Sequence, residues 1–242
     1  MEDGKKRDLS LTYFRDLLHP GEVPESKVWD VGNELNFIVE HSKEFIARFQ
    51  KVCDEKRENG EEVDEQRIAK SVLDELRTQI LIRILHPNYE DKGLSQEEQY
   101  KIGRDEDFML QHIDEIFKRY NDMDDRGEIK DEHESMKEVM KEVKIDYYLD
   151  LLYPNHEGMS AEEIFDKFAG RGIVRIKFDD IDRLFEQMVD ETEMQCEPVN
   201  EQAIMKRVMD EVNKSIPSGL TLEGIQGAVN SNREKGNYNP GD

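Results

Sequence analysis

Tryptophan occurs once, cysteine twice and proline seven times in 242 residues. Two cysteines, Cys53 and Cys196, with no CxxC spacing cannot build a disulfide framework and read as reduced thiols of an intracellular, cytoplasmic chain. Long apolar runs are also missing: no stretch approaches the ~20 residues that a membrane span needs. None follows the charged start Met1-Glu-Asp-Gly-Lys-Lys-Arg7 to act as a secretion signal. Positive charge is scarce, 34 Lys and Arg against 57 Asp and Glu, which leaves a net charge of -23. Such a surface repels phosphate backbones, so it argues against nucleic acid and favours basic proteins, cationic peptides or metal ions. HExxH, a phosphate-binding glycine loop and GxSxG are absent, and the glutamates spread over solvated faces nominate no acid–base pair. The chain reads as non-enzymatic.

What is present is a pattern. Hydrophobic residues make up 36% of the chain and charged ones 38%, which suits helices with narrow apolar stripes. Pro20, Pro87 and Pro154 recur at 67-residue intervals, closing the phrases Leu17-Leu18-His19, Ile84-Leu85-His86 and Leu151-Leu152-Tyr153. The agreement extends through the whole interval and marks a threefold internal repeat. One amphipathic helix per unit carries Ile46, Phe49 and Cys53, then Ile113, Ile116 and Tyr120, then Ile181, Leu184 and Met188, with Phe117 and Phe185 broadening the stripe. An acidic stretch follows each time, at 54–65, 121–132 and 190–201. A second helix then aligns Val72, Leu73 and Leu76 with Val139, Met140 and Val143 and with Val208, Met209 and Val212. These side chains are expected in the core.

Ser95 with Glu98 and Ser160 with Glu163 form capping boxes, while Thr221 keeps an N-cap alone. The prolines are expected to end helices near 66–85 and 132–152, because proline inside a further turn costs ~3 kcal/mol. Alternating β-branched residues at 170–178 suggest a short strand. Trp29 and the run Phe108-Met109-Leu110 stand outside the aligned stripes; burial is expected, a groove for a partner helix being the alternative. The ten methionines fill cores or, as in calmodulin-like grooves, adapt to varied helices. Tyr153 takes the place of His19 and His86, so that position reads as a packing or helix-end site. His112 and His133 lack the partner spacing that zinc requires.

Two helix–loop–helix elements per unit, with Gly-x-apolar near the end of an acidic loop, resemble a pair of EF-hands. Three pairs resemble the six-hand arrangement of calbindin and its calmodulin-like relatives. The closest stretch is Asp122-x-Asp124-x-Arg126-Gly127-Glu128-Ile129, in which Gly127 takes the place of the turn glycine. The resemblance implies Ca2+ at Asp122, Asp124 and Glu128, with Glu132 or Glu134 as the closing carboxylate. Arg126 and His133 stand where the pattern calls for oxygen acceptors, and the first and third loops keep fewer ligand positions. The implied fold is all-α: about a dozen helices in three tandem EF-hand-like units, 9–79, 80–146 and 147–214. A disordered 1–8 precedes them, and a C-terminal cap fragment with a disordered tail, 215–242, follows. The implied function is an adaptor or calcium sensor, with most loops degenerate, that binds a basic or amphipathic segment of a protein partner, cytoskeletal partners included. The alternatives are an ion-independent helical scaffold and an acidic chaperone or nucleic-acid mimic for a basic partner.

Overall fold

The computed structural model describes residues 9–91, 93–154, 171–175 and 177–215. The Ser160–Glu163 box, the Thr221 cap and the tails at 1–8 and 216–242 lie outside them. Regular structure among the described residues is entirely helical. It comprises α1 (Leu11–Leu18), a 3-10 turn (Glu25–Lys27), α2 (Val28–Glu40), α3 (Ser42–Glu58), α4 (Glu65–Leu85), α5 (Gln96–Gln111) and α6 (Ile113–Asp125). It continues with α7 (Glu132–Leu152), a helical stretch over 171–175, α8 (Phe178–Met194) and α9 (Glu201–Ser215).

Side chains start these helices. Ser10 accepts from the Tyr13 amide (3.3 Å), Asp64 from Arg67 (3.0 Å), Asp131 from Glu134 (3.0 Å) and Asn200 from Ala203 (3.0 Å). The Ser95–Glu98 capping box forms in full at the head of α5. The stops fall into two kinds. α1, α4 and α7 end at Leu18, Leu85 and Leu152, two residues ahead of Pro20, Pro87 and Pro154, as expected where proline disfavours helical geometry in the residue before it.

α3, α6 and α8 end instead in left-handed residues, Gly60 (φ +71°), Gly127 (φ +65°) and Cys196 (φ +54°). The amides of Glu61, Glu128 and Glu197 turn back to the carbonyls of Lys56, Met123 and Thr192 at 2.8, 2.9 and 3.2 Å, the six-to-one bond of a Schellman stop. Four residues after each left-handed residue comes the next N-cap, Asp64, Asp131 or Asn200. The acidic stretches are therefore tight helix-to-helix turns, and their glycine, apolar and acidic signals serve to end one helix and begin another.

A single residue, His41 or His112, joins α2 to α3 and α5 to α6; Lys177, the residue before α8, shares nearly the same backbone angles, φ -106° ψ 20°, φ -116° ψ 21° and φ -107° ψ 21° in chain order. The His41 ring lies 4.5 Å from that of Phe37, and the His112 ring stacks 4.4 Å from that of Phe108.

Two compact units are distinguished, residues 1–140 and 141–242, with the boundary inside α7. The first is built around Phe14 of α1, Phe37 and Ile38 of α2, Phe45, Phe49 and Cys53 of α3, and Ile68, Val72, Leu73 and Leu76 of α4. Phe14 meets Phe45 and Phe49 edge-on at 4.9 and 5.3 Å. The second packs Ile145 and Leu149 of α7, Ile173 and Val174, Ile181, Phe185 and Val189 of α8, and Met205, Val208 and Val212 of α9.

The nine aligned apolar residues from Val72 to Val212 are all buried. In the other stripe Phe49, Cys53, Ile113, Ile116, Ile181 and Phe185 are buried, whereas Ile46, Phe117, Tyr120, Leu184 and Met188 are only partly so. Two expectations are corrected. The described part of the 170–178 segment is helical over 171–175, not a strand: helical spacing brings Arg171 and Arg175 together onto Glu142, at 3.0 and 2.6 Å, while Ile173 and Val174 face the core. Trp29 is not a core residue; 45% of it is exposed, and Leu110 is 44% exposed, while Met109 of the same run is fully buried.

Candidate functional site

In the first unit the helix stops and starts place His19, just past α1, and charged side chains of α2, α4 and α6 around one open cleft of about 450 Å³. Its floor is Arg77, whose side chain is only 3% exposed. Arg77 Nη2 donates to Glu34 (3.1 Å), Nη1 donates to Asp114 (3.2 Å), and the guanidinium carbon stands 4.3 Å from the centre of the Phe117 ring. A desolvated guanidinium costs several kcal/mol unless its charge is met; here two carboxylates and an aromatic face meet it. Its Nε finds no hydrogen-bond acceptor. Glu34 is shared, because Nε2 of His19 donates to its other oxygen at 2.8 Å, the direction an ionised carboxylate allows. One glutamate on α2 thus ties down both the end of α1 and the middle of α4.

Lys70 lies beside this node, with its ammonium 2.9 Å from Asp114 and 3.2 Å from Asp74. Burial works against the Lys70 ammonium, but the hydrogen bond to Asp114 and the charges of Asp74 and Asp114 outweigh it and raise its pKa. Asp74 fares worse. Burial pushes its carboxyl up despite Lys70, and its Oδ1 has an ion contact without hydrogen-bond geometry. Across the mouth Lys118 meets Asp30 at 3.4 Å, both about half exposed. Trp29 forms the rim and is the large apolar surface offered to solvent there. Arg77, Lys70 and Lys118 are met by Glu34, Asp114, Asp74 and Asp30, so this arrangement holds helices together and presents an aromatic edge.

The helix-end reading of the His-Pro phrases has a concrete form. His86 Nε2 donates to Asp105 at 2.9 Å across the α4–α5 connection, as His19 does to Glu34 across α1–α2. A second charged node occupies the other unit, where Lys144, nearly buried, contacts Asp182 and Glu186 at 3.2 Å each. The Tyr148 hydroxyl donates to Asp182, and burial first, then Asp182, holds this phenol well above its ordinary pKa. Sequence reasoning passed over Arg77 and Lys144. The signal was available: each follows a core residue, Leu76 and Val143, at the same place in the aligned helices.

The residues assigned to calcium by resemblance are distributed differently from a loop. Asp122 and Asp124 belong to the last turn of α6, and their carbonyls accept from Arg126 (3.3 Å) and Gly127 (2.8 Å). Glu128 pairs with Arg126 at 2.9 Å, which lowers its pKa and raises that of Arg126. Glu132 and Glu134 sit in the first turn of α7, and His133 Nδ1 donates to the Ile84 carbonyl at 3.0 Å. The pKa of the Tyr120 hydroxyl is raised by burial first and by the charges of Glu132 and Asp124 next. Among the described residues no three His, Cys, Asp or Glu side chains are gathered in a way that could hold a metal ion. No helix among them is long and apolar enough to cross a membrane. No protein-family model matches this chain, and neither a curated protein nor a solved structure shows significant similarity to it.

Proposed function

We propose that this chain is a non-enzymatic helical adaptor that binds a basic, amphipathic segment of another protein, and that its architecture is a degenerate EF-hand-like repeat of three units. The observation that carries the reading is Trp29. A lone tryptophan, 45% exposed at the rim of an open cleft, is a large apolar surface on a molecule of net charge -23. Half-exposed aromatics are characteristic anchors at interfaces, and the acidic field attracts a cationic partner from a distance. The recurrence of Gly60, Gly127 and Cys196, each four residues before Asp64, Asp131 and Asn200, supports the repeat.

Calcium enters the proposal in a restricted form. Uptake by Asp122, Asp124, Glu128, Glu132 and Glu134 requires the last turn of α6 to open, since Asp122 and Asp124 belong to it. Calcium binding is therefore coupled to a loss of helix there. The ion-independent scaffold is the same proposal without that step.

The test is a titration of the full chain with a lysine-rich amphipathic peptide, followed by Trp29 emission and calorimetry, with calcium and with chelator. Saturable binding supports the adaptor. Binding that strengthens with calcium, together with a raised melting temperature in calcium alone, supports the sensor form. Absence of peptide binding in both conditions overturns the reading.

A further inference from the structure

One exposed helix face occurs twice in the first unit. On α2 it consists of Trp29, Gly32, Asn36 and Val39; on α5 it consists of Tyr100, Gly103, Asp107 and Leu110. Both follow the spacing i, i+3, i+7, i+10, which is the a/d seam of helices that pack side by side. The outer apolar residues of each seam are exposed: Trp29 45% and Val39 52%, Tyr100 51% and Leu110 44%. The glycines are the informative members. Each sits inside a helix, where glycine costs about 1 kcal/mol relative to alanine, and a Cβ added at either would meet nothing within 4 Å. Neither is required by the packing of its own chain. A glycine with no internal reason, flanked on its face by an aromatic and an aliphatic residue, suits the close approach of another backbone.

We propose that these two seams are docking faces, each of which takes one basic amphipathic helix of a partner protein against its glycine; this rests on the adaptor reading above and specifies where it acts. Charge selects the occupant. Glu40 lies beside the α2 seam, Asp107 lies within the α5 seam and Glu106 beside it. Arg104, next to Gly103, lies over the Tyr100 ring of its own helix, 5.6 Å from its centre. A second copy of the chain would bring another -23 to the contact, whereas a helix with lysines flanking an apolar stripe complements both the seam and its rim.

The full-length protein is titrated with a helical peptide carrying leucines at a/d spacing and lysines elsewhere, and with a counterpart in which glutamates replace the lysines. The wild type binds the first and not the second, with up to two peptides per chain. Gly32→Leu and Gly103→Leu together weaken binding by about tenfold or more by filling the notches. In the peptide-free chain they leave the melting temperature unchanged or raise it by roughly 2–4 °C, so lost binding cannot be attributed to lost folding. Undiminished binding by this double variant overturns the seams while leaving the adaptor reading intact. Failure of the wild type to bind the lysine peptide overturns both. Wild-type dimers in sedimentation that Gly32→Leu abolishes make a second copy the occupant and overturn the assignment to a basic partner.

Discussion

Arg77 determines what the first unit tolerates. Two carboxylates from different helices converge on a guanidinium that is almost wholly desolvated, so truncating it strands Glu34 in a poorly solvated place. Arg77→Ala should cost about 3 kcal/mol or more in urea unfolding, in the range for breaking one side of a buried ion pair. Arg77→Met should cost clearly less for its retained volume. Asp74 presents the opposite case. Its pKa is raised, chiefly by burial, so its charged form is disfavoured in the fold and the stability of its neutral form is lost as pH rises through the folded pKa. Asp74→Asn should therefore raise the melting temperature at neutral pH, and the gain should shrink on acidification toward the ordinary Asp range near ~3.9. A gain independent of pH would mean that ionisation is not its source.

At the scale of elements, the chain is organised by how helices stop. A non-glycine residue in left-handed geometry costs roughly 1 kcal/mol, and Cys196 holds that position where Gly60 and Gly127 stand at the equivalent turns. Cys196→Gly should stabilise by about that amount, and Gly60→Ala or Gly127→Ala should destabilise by a similar amount in thermal melts. Ser95→Ala should cost about 1 kcal/mol by removing the capping box.

Helix boundaries were legible in the sequence because prolines, glycines and capping residues act within a few positions of themselves. The 132–152 helix falls where its periodicity and proline place it, and the 66–85 helix begins one residue earlier, at Glu65. The 170–178 segment misled because alternating β-branched residues also fit a buried helical turn, and only the long-range pairs to Glu142 decide between them. The Gly-x-apolar-x-acid signal is equally local: it describes a Schellman stop followed by an N-cap as well as it describes a metal loop. The 67-residue alignment placed Ile46 opposite Ile113, yet the helix junctions His41 and His112 lie 71 apart. α3 is therefore one turn longer than α6 at its start, while the stops at Gly60 and Gly127 keep the 67-residue interval and the apolar face keeps its register.

At the scale of the whole molecule, acidity and two phenols, Tyr148 buried and Tyr147 partly so, set the working range. Tyr147 is raised by burial and then by Glu201, and Tyr148 by burial and then by Asp182. In the unfolded chain both ionise near ~10, so the stability they lend is present below that pH and lost as pH rises beyond it. Far-UV circular dichroism between pH 8 and 11 should show alkaline unfolding of the second unit, blunted by Tyr147→Phe with Tyr148→Phe.

The candidate site was less legible than the helices. His19, Glu34, Arg77 and Asp114 are scattered over nearly a hundred residues and share no local spacing. Trp29 was misplaced because its surroundings in sequence, Val28 and Val31, look like core, and it is the turn at 25–27 and the orientation of α2 that leave it at the rim. The central claim, an acidic adaptor with an exposed aromatic anchor, is tested most directly by Trp29 emission during titration with a basic amphipathic peptide at low and at high salt. The account predicts a saturable spectral shift whose affinity falls steeply as salt screens the attraction. No shift and no heat at either ionic strength would contradict it.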